Sequence, residues 1–223
     1  MKEAALFAEG IAREAGNILM RGFRSERTVV SYKSSTDLVT SIDRESEAFL
    51  FPAVKARFPG HSVIAEEGSR SEISGEYVWY IDPLDATNNY AHGIPFFCVS
   101  IALYSRSLPG VVAGVVFDPM HDELFSAWRG GGSTLNGRPI RVSGIDSLDI
   151  AFLATGFPYD RSDPRRNNLR QFTGFSPKVQ GIRRIGSAAM DLCYLAAGRF
   201  DGYWEPMLHP WDTAAGSLIV EEA

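Results

Sequence analysis

Cysteine is nearly missing from this chain: Cys98 and Cys193 are the only two in 223 residues. Both stand in apolar surroundings, "FFCVSIAL" and "DLCYLAAG", which read as buried thiols in a reducing compartment rather than a disulfide or metal pair. Positive charge is also in short supply. Lys and Arg number 22 against 27 Asp and Glu, for a formal net charge of -5 and a pI of about 5.4. That balance lacks the basic excess of a free-standing nucleic-acid binder. No apolar run approaches the length of a membrane span. The first stretch, "MKEAALFAEGIAREAGNILMRGF", is broken by Glu3, Glu9, Arg13 and Glu14, so it lacks the apolar core of a signal peptide. Internal repeats, low-complexity tracts and linkers are absent too. The expectation from these gaps is a soluble cytoplasmic protein with one domain over residues 1–223. Hydrophobic residues make up an ordinary 45%, enough for a sizeable core.

Periodicity supplies the elements. Leu6, Phe7, Ile11, Ala15, Ile18 and Leu19 fall at helical spacing and predict a first amphipathic helix. Asp43 is placed to cap a second helix, "RESEAFLFPAVKARF", with Glu45 and Glu47 near its positive end and Pro59-Gly60 closing it. "SVIAEE", "YVWYIDP", "FFCVSIALYS" and "GVVAGVVFDP" predict strands, the last two joined by a turn at Pro109-Gly110. "DELFSAWRGGGSTLNGRPIRV" predicts further hairpins. "SAAMDLCYLAAGRFDG" predicts a helix with Gly198 near its end, and "TAAGSLIVEEA" another. Hairpins mixed with crossovers point to a layered α/β or α+β fold with a mixed sheet.

Acids gather where these elements end: Asp43 in "TSIDRES", Glu66 and Glu67 in "VIAEEGS", Asp82 and Asp85 in "IDPLDAT", and Asp212 in "HPWDTAAG". Strand ends of α/β sheets border the crevice where such folds bind ligands. Caps and turns account for single acids as readily as a site does, but a cap uses one acid, and Asp82 and Asp85 are two around Pro83. Several carboxylates in one crevice raise each other's pKa, so protons or cations must compensate. Oxygen donors without a Cys or His cluster suit Mg²⁺ or Mn²⁺ and disfavour Zn²⁺ or Cu²⁺. "DATNN" predicts a turn entering a short helix whose free N–H groups attract an anion. Hard cations beside such a turn suit phosphate-ester hydrolysis. Ser187 follows Gly186 without a G-x-S-x-G elbow, so a serine nucleophile is disfavoured. His92 and His209 read as packing or hydrogen-bonding residues rather than catalytic bases.

"WYIDPLDATNNYAHGIP" resembles the first signature of the inositol monophosphatase family, W-x-x-D-P-x-D-G-T-x-N-F-x-H-G-x-P, and "WDTAAGSLIVEEA" resembles the second. "KSSTDLVTSID", "VIAEEGS", "LNGRPIRVS", "ATGFPY" and "RRIGSAAMDLCYLAAGRFDGYWE" are similar to further family segments, in family order along nearly the whole chain. The resemblance implies a layered αβαβα sandwich and a Mg²⁺-dependent, lithium-sensitive phosphomonoesterase, usually a homodimer, that uses two or three metal ions and metal-activated water. Position by position it implies Glu66, Asp82 and the Leu84 carbonyl on the first metal, and Asp82, Asp85 and Asp212 on the second. A third, weaker ion would touch Glu66. Thr87 and Asp43 would orient the attacking water, and the Ala86 and Thr87 amides would hold the phosphate. Glu205 would bond a substrate hydroxyl, Gly186, Ser187 and Ala188 would line the sugar side, and Lys33 would lie near the catalytic loop. Relatives with the same fold imply alternatives: fructose-1,6-bisphosphatase, 3′-phosphoadenosine 5′-phosphate phosphatase, or a non-catalytic partner of the transcription machinery. Two departures stand out: Ala86 replaces the signature's glycine, and the family pattern continues past "VEEA". An alanine that enters a helix turn is expected at negative φ, its methyl away from the phosphate.

Overall fold

A computed structural model describes residues 1–25, 28–32, 38–160 and 162–223, without the side chain of Tyr32. Lys33 lies outside the described residues. Helix α1 (Lys2–Gly22) buries a stripe of small and branched residues that includes Ala5, Ala8, Ala12, Ala15 and Leu19. Leu6 departs from the expected stripe and is 53% exposed, because positions 5, 8, 12, 15 and 19 centre the buried face away from it. An antiparallel ribbon of β1 (Val30–Tyr32) and β2 (Leu38–Thr40) leads into α2 (Ser41–Arg57).

The start of α2 corrects the expected cap. Thr40, not Asp43, is the N-cap: its Oγ1 accepts from the Ile42 amide at 3.1 Å. Asp43 sits three residues on and returns a carboxylate oxygen to the Thr40 amide at 2.8 Å. Threonine followed at that spacing by an acid closes a capping box, so helix formation begins earlier than a lone capping aspartate would set it.

Seven strands form the main sheet in the order β3 (Ser62–Ala65), β4 (Tyr77–Asp85), β5 (Cys98–Ser105), β6 (Gly110–Asp118), β7 (Glu123–Trp128), β8 (Ser133–Leu135) and β9 (Arg138–Pro139). Only β3 and β4 run parallel; every later neighbour is antiparallel. The short helix α3 (Thr87–Ala91) follows β4 directly. After β10 (Phe152–Thr155) come α4 (Leu169–Phe175), β11 (Gly181–Arg183), α5 (Ala188–Ala196), β12 (Gly202–Trp204) and α6 (Pro210–Glu222). Strands β11, β10 and β12 make a second, all-parallel sheet.

Helices α1 and α2 pack on one face of the main sheet around Leu50, Trp79, Ile81 and Phe97. The other face meets α5 and α6 around Phe125, Met190, Leu218 and Ile219. Helix α6 comes so close that a Cβ on Gly114 would stand 2.8 Å from the Ala215 carbonyl oxygen, which glycine alone permits. Rings of Tyr194, Phe200 and Phe152 join α5 to the second sheet. The pairs Phe157–Phe172 and Phe175–Trp204 bring α4 against that sheet. The result is the expected αβαβα layering. Cys98 and Cys193 are buried free thiols, as expected. Among the described residues no helix is long and apolar enough to cross a membrane.

Candidate active site

Asp82 and Asp85 are three apart, and in a regular strand residues at that spacing point to opposite faces. The strand is not regular there. Asp82 pairs with Ser100 and Asp85 with Cys98, so three steps on β4 match two on β5, a one-residue bulge around Pro83 and Leu84. The bulge restores parity, and both carboxylates border one cleft of about 490 Å³. Glu66 arrives from the end of parallel β3, and Asp212 from the first turn of α6, where it accepts from the His209 amide at 2.6 Å.

Carboxylate oxygens of Glu66, Asp82 and Asp212 lie within 4.8 Å of one another. Asp85 lines the same cleft but is not in that tight group. Its Oδ2 is taken by Ser187 Oγ at 2.7 Å and the Ala189 amide at 2.8 Å. Burial drives the Asp82 carboxyl well above the usual carboxylate range, and the charges of Glu66, Asp85 and Asp212 push the same way. Asp212 is pushed up to about 8, mainly by burial, with the His209 amide opposing and Asp85 and Glu66 adding. Asp85 is raised by burial against its hydrogen bonds from Ser187, Ala189 and Ala86. Crowded acids of this kind, all hard oxygen, fit a divalent cation such as Mg²⁺.

A second chain of groups stands behind the floor. Thr40 Oγ1 donates to Asp43 Oδ2 at 2.5 Å, and Asp43 Oδ1 accepts from Thr87 Oγ1 at 2.9 Å. Thr87 Oγ1 is also 3.1 Å from the Leu84 carbonyl. Thr87 borders the cleft, whereas Asp43 is 1% exposed and reaches it only through Thr87.

On the opposite wall Glu205 accepts from the Tyr203 hydroxyl at 2.7 Å. A Cβ on Gly156 would stand 1.9 Å from that carboxylate, so the glycine leaves the space Glu205 fills. Gly186, at φ +98°, and Ala188 border the cleft as expected. Ser187 does not: it is fully buried, caps α5 by accepting from the Met190 amide, and holds Asp85. A serine N-cap turns its hydroxyl inward to the helix end, which takes it out of the cleft lining.

Ala86 also departs from expectation. Its backbone is left-handed, φ +75° and ψ +45°, rather than at negative φ. One residue joins β4 to α3, and a chain that reverses from strand to helix in one step uses the left-handed region. Ala86 borders the cleft and packs in part on the core beneath. Exposed His209 stacks on Trp211, and His92 is exposed, so neither is buried in the acid floor.

Several residues were not singled out by sequence. Glu47, expected merely to favour the start of α2, is buried and accepts the Glu67 and Ser69 amides, each at 2.7 Å. It braces the turn that presents Glu66. Asp191 is buried with neither carboxylate oxygen hydrogen-bonded. Arg166 and Arg184 border the cleft. No spacing rule marks these four, because their surroundings are set by the tertiary fold rather than by the local pattern.

The whole chain, residues 1–223, matches the family described as the inositol monophosphatase family. It is 49% identical over 188 residues to the inositol-1-monophosphatase of Synechocystis sp., covering 84% of this chain and 65% of that protein. To the Nus factor SuhB of Pseudomonas aeruginosa it is 44% identical over 218 residues, 95% of this chain and 80% of that protein. Among solved structures, inositol monophosphatase from Anabaena (Nostoc) sp. superposes with a TM-score of 0.89 at 41% identity, over 100% of this chain and 82% of that one. Ordered motifs, layered fold and relatives agree that the chain belongs to the inositol monophosphatase family.

Proposed function

We propose that this chain is a Mg²⁺-dependent phosphomonoesterase acting on inositol monophosphate or a related sugar phosphate. One observation carries the reading: Glu66, Asp82 and Asp212 converge within 4.8 Å with Asp85 beside them in one cleft. When bound there, divalent ions supply Lewis acidity, lower the pKa of water and neutralise the leaving oxygen. Glu66, Asp82, Asp85, Asp212 and the Leu84 carbonyl are the groups that would hold them. Thr87 keeps its hydroxyl oriented through Asp43 and Thr40, which suits it to hold a water at a fixed angle. The Ala86 and Thr87 amides, at the turn into α3, would hold the phosphate. Glu205, fixed by Tyr203, would accept a substrate hydroxyl, and Gly186 and Ala188 leave the wall open to a sugar ring.

The test is phosphate release from a panel of inositol phosphates, sugar phosphates and an aryl phosphate, with and without Mg²⁺. Asp85→Asn at matched Mg²⁺ is expected to abolish turnover, and near wild-type release would remove Asp85 from the proposed ligands. Glu205→Gln is expected to weaken polyol phosphate turnover more than aryl phosphate turnover, since an unmet polar contact costs about 1–3 kcal/mol. A second reading, contact with the transcription machinery, is favoured by the relatives named Nus factor. It predicts a partner bound equally well by Asp85→Asn.

A further inference from the structure

Protein donors clasp the acids of the floor from beneath. Asp82 Oδ1 accepts the Leu84 amide at 3.0 Å, and Asp212 Oδ2 accepts the His209 amide at 2.6 Å. Asp85 Oδ2 takes two strong donors, Ser187 Oγ at 2.7 Å and the Ala189 amide at 2.8 Å, with the Cys98 thiol further off at 3.8 Å. A carboxylate oxygen has two lone pairs, so those of Oδ2 are in use. The donors are themselves fixed. Ala189 lies in the first turn of α5, where amides have no partner within the helix. Ser187 Oγ accepts from the Met190 amide at 3.2 Å, which leaves its one hydroxyl proton for Asp85. Ser187 and Ala189 are fully buried, so both bonds are made away from solvent. Coordination of an ion by Asp85 then falls to Oδ1.

We infer that Ser187 is a positioning residue that confines Asp85 to coordination through one oxygen, and so biases the site toward Mg²⁺ or Mn²⁺ over Ca²⁺. This rests on the Mg²⁺-dependent reading above. Mg²⁺ demands near-ideal octahedral geometry, whereas Ca²⁺ takes more oxygens and accepts a carboxylate through one or both of its own. A carboxylate whose second oxygen is already bonded suits the smaller ion and denies the larger one an extra ligand. Partners behind a ligand set its orientation in this way, and their loss is felt at the metal. Without the Ser187 hydroxyl, Oδ2 keeps the Ala189 amide, and a lone pair is released.

Calorimetry without substrate tests it. The heat lost in Asp85→Asn identifies the site that Asp85 serves, and Kd for Mg²⁺ and for Ca²⁺ at that site is then read in each variant. Ser187→Ala is expected to weaken Mg²⁺ by about tenfold and to leave Ca²⁺ within about twofold, a shift of about fivefold or more in their ratio. Ser187→Thr keeps the hydroxyl and is expected to keep the wild-type ratio. Melting curves in EDTA read the lost helix cap separately from the ratio. Equal weakening of both ions in Ser187→Ala would make Ser187 a helix cap alone and overturn the inference, as would a ratio unchanged from wild type. A ratio in Ser187→Thr that follows Ser187→Ala would trace the effect to side-chain volume and also overturn it. Mg²⁺-dependent phosphate release by wild type, with a ratio indifferent to Ser187, would remove this inference and leave the phosphatase reading. A Ser187-dependent ratio with no phosphate release from any compound would do the reverse. A wild type that binds no Mg²⁺ would overturn both.

Discussion

Ala86 holds a left-handed backbone, φ +75°, that costs an L-residue with a Cβ about 1–2 kcal/mol. Glycine relieves that strain but adds about 0.4–1 kcal/mol of unfolded-chain freedom. Ala86→Gly is therefore expected to raise stability by up to about 1 kcal/mol, an increase in Tm of about 2–4 °C per kcal/mol for a chain of this size. A fall in Tm would show that the methyl's packing on the core outweighs the strain. Asp191 is a second residue with an unusual position. Burial pushes its carboxyl from 3.8 up to about 8, with Glu205 and Asp85 adding and Arg184 opposing. The folded state then keeps a proton that the unfolded chain loses near pH 4. Its contribution is complete below that pH, declines as pH rises toward 8, and is lost above. Asp191→Asn stays neutral throughout, so its Tm advantage over wild type should grow from pH 5 to pH 8.5. A margin constant with pH would mean that Asp191 is ionised in the fold.

Elements position what residues contribute, and Glu47 shows how. It projects from α2 and clasps two amides of the turn after β3. Glutamine offers one acceptor oxygen where the carboxylate offers two. Glu47→Gln is expected to lower stability by about 1–3 kcal/mol and to weaken Mg²⁺ binding, read by denaturation and by calorimetry. Unchanged Mg²⁺ affinity would mean that the turn holds Glu66 without this brace. Most elements were legible in the sequence: α1, α5 and α6 from helical spacing, and β3 to β7 from apolar runs bounded by turns. The acid floor was legible because its members end those elements. Less visible was the bulge that turns Asp82 and Asp85 to one side, since pleat parity depends on the register with β5, a partner the local pattern does not encode. The conformation of Ala86 is set by the one-residue step from β4 to α3, which the local pattern likewise does not encode. Ser187, Glu47 and Asp191 were misread or missed because burial, not composition, decides where a polar side chain points.

For the molecule as a whole, the crowded acids set stability against binding. Without divalent ions, burial and three acidic neighbours penalise the ionised form of Asp82; Asp82→Asn removes that penalty, and the variant is expected to melt above wild type in chelator. Added Mg²⁺ should stabilise wild type, by about 2.7 kcal/mol at a hundredfold excess over Kd, and leave the variant nearly unmoved. Melting curves in EDTA and in Mg²⁺ decide it; a variant less stable than wild type in EDTA would mean that the cluster is not strained. Glu66, Asp82 and Asp85 hang from the main sheet, while Glu205 follows β12 and Arg184 follows β11 in the smaller one. Substitutions on the far wall and on the floor therefore fall on separate sheets, joined where Ser187 and Ala189 hold Asp85. A fold assembled from two sheets in this way gives selection a part it can vary beside a part it must leave alone.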